Sequence, residues 1–127
     1  WRETARDPIV ALVPAAFASR DALDLLRGEP FIRYDRGTPI GQMVDRCLRA
    51  HRVWPRERIE VDGVTAIAAL VEQGLGVALV PDMLSRQTLG DSLARISLPE
   101  PTFVRRIGWV WAPQGPHAAM AAMLMNG

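Results

Sequence analysis

Lysine is absent from this chain. All 15 of its basic residues are arginine, set against 14 acidic ones, for a formal net charge of +1. A compositional bias explains the missing lysine better than a binding role does, and a charge this near neutral leaves no electrostatic footprint for nucleic acid. Cys47 is the single cysteine, so no internal disulfide can form. No apolar run reaches the ~20 residues that a membrane-crossing helix needs, and no secretion signal is visible. A Walker-type phosphate loop, a G-x-S-x-G elbow and an H-E-x-x-H pair are all missing. His51 and His117 have no Cys, His or carboxylate at metal-ligand spacing, so no metal site is expected. Gly74-Leu75-Gly76 is the one glycine pair, but it separates a helix from a strand, the reverse of a dinucleotide fingerprint, and no third glycine follows. No cofactor is expected, and a tight turn is the better reading.

What is present suffices for one modest domain. The chain has 127 residues, 49% of them hydrophobic, enough for a real core. Glu60 to Pro81 organises the rest. Ile59 and Val61 alternate with charged neighbours like a half-buried strand. Asp62 and Gly63 supply a turn and cap. Ile67, Leu70 and Val71 then recur at helical spacing among alanines. Gly74 stops that helix. Val77 to Val80 is a continuous apolar run suited to a strand covered on both faces, and Pro81 closes it. The order is βαβ, which predicts an α/β fold with a parallel sheet flanked by helices.

The remaining elements fit that frame. Trp1 to Asp7 is polar and reads as a loop. Ile9 to Val13 reads as a strand closed by Pro14. Asp21 opens a short helix that Gly28 ends, and Pro30 to Tyr34 is the next strand. Thr38 caps a helix that begins with Pro39. Ile40, Met43, Val44, Cys47 and Leu48 form its apolar stripe. Within that stripe Cys47 is a buried, inert thiol rather than a nucleophile, and His51, at the helix end, has a surface or capping role. Asp82 begins a short helix, Thr88 to Ser92 a loop, Ala94 to Leu98 a strand. Phe103 to Ala112 is a longer strand with Ile107, Trp109 and Trp111 on one face. Gly115-Pro116 opens a last helix with Ala119, Met120, Met123 and Leu124 as its apolar positions.

Two loops stand apart. Arg36 to Pro39 and Gly63 to Thr65 each combine a strand end, a small residue, a hydroxyl and a helix start. Backbone N–H groups are free at a helix start and favour negative charge. Arg36 adds a guanidinium able to hold a carboxylate with two prongs. Two such loops on neighbouring strand tips would form a wall for a small anion. The plain alternative is that Thr38 and Thr65 only cap or flank their helices.

Taken together, Pro30-Phe31-Ile32-Arg33-Tyr34, the amphipathic helix Ile40 to Leu48 and above all the block Ala66 to Pro81 resemble the effector-binding domain of LysR-type transcriptional regulators. The resemblance covers nearly the whole chain. It implies a type II periplasmic-binding-protein-like fold of Rossmann-like lobes with a mainly parallel sheet. Residues 17–100 would be the second lobe, and residues 1–16 and 101–127 parts of the first. The effector, a carboxylate or other anion, would lie between lobes against Arg36, Gly37, Thr38, Val64 and Thr65. The family also implies a homodimer or tetramer, formed in part through helix Ile40–Ala50, a cytoplasmic location and no catalytic residues. Its DNA-binding domain and the first part of lobe one have no counterpart here, so DNA would be reached only through another domain. Ile9–Val13 and Ile107–Val110 are expected to lack their usual sheet neighbours, which implies association through that edge or a longer parent chain. Two rivals share the scaffold: a solute-binding protein of a transport system, and an enzyme using Asp35, Asp62 or Arg36.

Overall fold

The computed structural model describes residues 2–84 and 89–109, with side chains over 6–84 and 89–106. Among the described residues there are six strands: β1 (Arg2–Pro14), β2 (Pro30–Tyr34), β3 (Arg56–Val61), β4 (Val77–Pro81), β5 (Leu93–Ser97) and β6 (Val104–Trp109). Three helices accompany them: α1 (Ala22–Gly28), α2 (Pro39–Ala50) and α3 (Val64–Glu72). The sheet order is β3-β2-β4-β1-β5, and β6 pairs with β1 off that path. β2 is parallel to β3 and to β4, whereas β1 is antiparallel to β4, β5 and β6. β3, β2, β4 and β5 therefore all run one way, and β1 alone opposes them.

Helix placement follows from these connections. The step from β2 through α2 moves outward to β3, and the step from β3 through α3 returns past β2 to β4. Right-handed crossovers in opposite directions put α2 and α3 on opposite faces. Side chains agree: Arg33 on one face of β2 meets Asp45 of α2, while Tyr34, on the other face, feels Asp62 just before α3. All five residues of β4 are buried as a result. The apolar stripe of α2 packs on β2 and β4, with Val44 and Cys47 fully buried, so that stripe belongs to the core.

Local signals hold at the helix ends. Asp21 accepts the Asp24 amide at 3.0 Å, and Thr38 Oγ1 accepts the Gly41 amide at 3.0 Å. After α3 the Leu75 amide donates to Leu70 and the Gly74 amide to Val71, a Schellman stop that needs the left-handed backbone Gly74 supplies at φ 79°.

β1 departs from expectation. Arg2–Asp7 is strand rather than loop, because a two-stranded ribbon takes its hydrogen bonds from β6 whatever its side chains are. Nor is Ile9–Val13 an open edge: β4 lies on one side and β5 on the other, and its residues are at most 4% exposed. β1 thus serves two ladders in succession, β6 up to Pro8 and β4/β5 from Ile9 onward. At the switch the Ile9 amide donates to Phe103 O, and the Asp82 amide donates to Pro8 O, each at 2.8 Å. Proline fits there because it lacks a donor that the changeover would strand. Two further readings change. Ile59 is 43% exposed because β3 is an edge strand. His51 is the C-cap of α2, the capping role expected of it, but it is buried at 9% exposed rather than at the surface, and its Nε2 donates to Pro101 O at 2.8 Å. Trp111, His117, the closing helix with Met120, Met123 and Leu124, and the stretch from Ser85 to Thr88 lie outside the described residues, as does the side-chain face of Ile107 and Trp109.

Glycines give a sharp packing test. A Cβ on Gly41 would fall inside the Asp35 carbonyl, whereas one on Gly28 meets nothing within 4 Å. Gly41→Ala is expected to lose roughly 1–3 kcal/mol of stability by overpacking against fixed backbone. Gly28→Ala is expected to gain about 0.5 kcal/mol through the unfolded chain. Urea midpoints measure both, and equal midpoints for the two variants contradict this packing.

Candidate functional site

β2, β3 and β4 end side by side. Tyr34 pairs with Val61, and the Asp35 amide donates to Val61 O at 2.9 Å. The chain then leaves β2 for α2 on one face and β3 for α3 on the other. Adjacent parallel strands whose helices depart to opposite faces leave a crevice at their carboxyl ends, where ligands of open α/β sheets bind.

The two helix starts differ in what they offer. At α2, Pro39 has no N–H, the Gly41 amide is held by Thr38 Oγ1, and that hydroxyl donates to Asp35 O at 2.7 Å. Thr38 is committed to its own cap, and Gly37 gives its amide to Asp35 Oδ1 at 2.8 Å. At α3, Gly63 (φ 100°) caps without a side chain, and the first intrahelical bond runs from the Ile67 amide to Gly63 O. The amides of Val64, Thr65 and Ala66 therefore have no acceptor among the described residues. Val64 is buried beneath them and Thr65 is exposed beside them.

Arg36 is engaged elsewhere. Its amide donates to Glu60 at 3.0 Å, its Nη1 to the same carboxylate at 3.2 Å, and its Nη2 reaches Glu57. Glu57 also receives Arg33, whose Nε lies 3.0 Å from it and whose Nη1 lies 3.1 Å from Asp45. Arg33, the penultimate residue of β2, is 3% exposed. A guanidinium so buried must be paired, and here the pairing ties β2 to β3 and to α2. Burial acts to raise the Glu57 carboxyl, but the hydrogen bonds from Arg33 and then Arg36 outweigh it and hold the group below its ordinary value.

Two residues not singled out from the sequence complete the crevice. Tyr34 is 5% exposed at the tip of β2. Burial first, and the Asp62 carboxylate next, raise its phenol above the ordinary value; Arg105 opposes and Asp35 adds to the rise. Arg105 comes from β6, where it is registered opposite Asp7. Its Nη1 rests 3.2 Å from Met83 Sδ, just past the end of β4, and its Nε is buried without a hydrogen-bond partner. An unmet donor on a charged group costs about 1–3 kcal/mol or more. A basic residue opening a strand gave no signal in the sequence, because its role depends on a turn of the chain about 70 residues away.

Among the described residues no group of three or more His, Cys, Asp or Glu could hold a metal ion, and no helix is long and apolar enough to cross a membrane. Cys47 is buried in α2 and its thiol is pushed up to about 12 by that burial.

Comparison with known proteins adds the family. Residues 1–125 match the family model described as the LysR substrate binding domain. An uncharacterized HTH-type transcriptional regulator, YybE of Bacillus subtilis (strain 168), is 27% identical over 114 residues, which are 87% of this chain and 39% of that protein. The effector binding domain of QuiR, solved in complex with shikimate, superposes with a TM-score of 0.71 at 18% identity, covering 99% of this chain and 64% of that one. The Synechocystis PCC6803 CcmR regulatory domain in complex with 2-PG gives 0.65 at 20% identity over 83% of this chain and 53% of that one. HinK, a LysR family transcriptional regulator from Pseudomonas aeruginosa, gives 0.63 at 17% identity, over 94% and 43%. At these identities the structural likeness is one of fold, and the chain spans well under two thirds of the curated relative.

Two tests follow from the ionisable groups. Glu57 is depressed in the folded protein, so its contribution is present above its ordinary value of 4.5 and is lost as pH falls through the lower folded value. Glu57→Gln should lower the urea midpoint at neutral pH and flatten its decline on acidification; an unchanged acid profile contradicts the clamp. For Cys47, a thiol reagent such as iodoacetamide at about pH 8 should label the native chain only as fast as it opens, and the urea-unfolded chain at once. Rapid labelling of the native chain would place the thiol at the surface.

Proposed function

The chain belongs to the LysR substrate binding domain family, and from that membership we propose that it is the effector-sensing part of a bacterial transcription regulator. Residues 17–100 form most of the second lobe, and residues 1–16 and 101–127 belong to the first. β1 joins the two, since its Ile9–Pro14 half hydrogen-bonds into the second-lobe sheet. A small molecule carrying a carboxylate or other anion binds in the crevice at the carboxyl ends of β2 and β3.

The observation that carries this reading is the bare start of α3. Three successive amides have no acceptor among the described residues, at the positive end of a nine-residue helix that begins beside the exposed Thr65. Val64 and Thr65 are thus the direct contacts. Arg36, Gly37 and Thr38 form the opposite rim, with Arg36 steered by Glu57 and Glu60 rather than reaching freely for the ligand. QuiR and CcmR were solved with shikimate and 2-PG, both small anions, and this supports an anionic effector here.

The protein works by population shift rather than by turnover. A ligand that favours one orientation of the β1–β6 ribbon against the β2–β4 sheet biases that orientation by its differential affinity. The change is passed to a homo-oligomer, and DNA is contacted through a domain outside these residues, in the cytoplasm. A second copy docks through the outward face of α2, where Gln42, Arg46 and Arg49 are exposed, and through the adjoining edge of β3, with Ile59 and the 76% exposed Trp54 beside it.

The reading is tested by amide chemical shifts. Titration with shikimate, 2-phosphoglycolate and simple carboxylates should move the amides of Val64, Thr65 and Ala66 before those of α1. If neither these anions nor any carboxylate-bearing zwitterion such as an α-amino acid moves these amides, the crevice is not the effector site.

A further inference from the structure

Arg105 is the guanidinium whose buried Nε has no hydrogen-bond partner among the described residues. Arg33, Arg36 and Arg95 each hold at least one carboxylate. Arg105 makes no ion pair among the described residues, although Asp7 stands opposite it across the ladder. Its Nε is buried and empty-handed, and its Nη1 has only the Met83 thioether. Met83 lies just beyond β4, and β4 is the parallel neighbour of β2, so Arg105 hangs over the carboxyl ends of the strands that bear Tyr34 and Asp62.

Asp62 mirrors it in the opposite sign. It follows directly on Val61, which is registered with Tyr34, and it is exposed with no hydrogen bond or ion pair among the described residues. Tyr34 is registered with Val61, the residue before Asp62, its phenol responds to the charges of both Asp62 and Arg105, and its hydroxyl makes no hydrogen bond among the described residues. Of the other carboxylates here, Asp35 already holds the Gly37 amide and Asp82 is paired with Arg95 at 2.5 Å.

A bare anion in this place would meet one guanidinium and the carboxylates of Asp7, Asp35 and Asp62. A dianion such as phosphate would meet the same repulsion twice over. A ligand that brings its own cation removes the conflict. We propose that Arg105, Tyr34 and Asp62 select a small zwitterion of the α-amino acid class, its carboxylate held between the Arg105 fork and the α3 amides and its ammonium group held by Asp62. The Tyr34 hydroxyl bridges the two ends. This rests on the crevice being the effector site, and it narrows the ligand from any small anion to one with paired charges.

Isothermal titration of the full chain with the proteinogenic α-amino acids, one by one, tests it against three controls: the matching 2-hydroxy acids, the matching amines and inorganic phosphate. At least one amino acid should bind, and its 2-hydroxy acid should bind about tenfold more weakly or worse. Arg105→Gln and Asp62→Asn should each weaken that amino acid by about tenfold or more, with the unliganded urea midpoint of Asp62→Asn unchanged because Asp62 is exposed. Arg105→Lys should also weaken it, since an ammonium cannot reproduce the fork. Binding of a 2-hydroxy acid or phosphate as tight as that of any amino acid overturns the zwitterion and leaves the anion crevice standing. Wild-type affinity in Arg105→Gln or Asp62→Asn overturns the assigned residues. Failure of every amino acid to bind overturns the proposal outright.

Discussion

A buried guanidinium inside an apolar strand is the constraint from which the rest of this structure follows. Arg33 is the penultimate residue of β2, flanked by Ile32 and Tyr34, and is almost wholly removed from water. Left alone there, its charge would be prohibitively costly; paired with Glu57 and Asp45 it becomes a three-way tie among strand, edge strand and helix. Glu57 in turn is shared with Arg36, which also holds Glu60. One ionic chain therefore runs from within β2 to the loop at its tip. The loop that borders the crevice is held by charges lying beneath it, and its position is fixed before any ligand arrives.

Most of this fold could be read from residue order, and the reason is local. Glycine, proline and apolar periodicity mark α1, β2, α2, α3 and β4 to within a residue or so, because each boundary is set by a cap or a turn within a few positions. Thr38 and Gly74 behave as their neighbours dictate. What could not be read depends on partners far along the chain. Arg2–Asp7 looks like loop because its strand character comes from β6, roughly a hundred residues later. Ile59 alternates like a buried residue but belongs to an edge, and the place of β3 in the sheet order is invisible in its own six residues. The crevice was legible to the same extent. The helix start at Val64–Thr65 was marked by Asp62-Gly63, whereas Arg105 and Tyr34 acquire meaning only once β6 hangs over the strand tips.

β1 connects these parts mechanically. A single strand that exchanges one set of partners for another at Pro8–Ile9 transmits a twist between its two ladders. The changeover itself rests on few bonds, among them those from Ile9 to Phe103 and from Asp82 to Pro8. The core half of the strand is buried and cannot yield, so a reorientation is concentrated at the switch. Arg105 lies two residues beyond Phe103, on the ribbon side, while Asp62 and the α3 amides lie on the sheet side. A ligand that touched both sides would close across this joint.

The pattern of satisfied and unsatisfied polar groups then separates scaffold from site. Asp21, Thr38, His51, Arg33 and Arg36 all have partners at ordinary distances, and each partner stabilises an element of the fold. At one end of the parallel strands the three leading amides of α3, the Arg105 Nε, the Tyr34 hydroxyl and the Asp62 carboxylate have no partner among the described residues. Of these, the buried Arg105 Nε carries a desolvation cost that an acceptor on a ligand would offset, and the chemistry of this corner, rather than the likeness of the fold, is what would select that ligand.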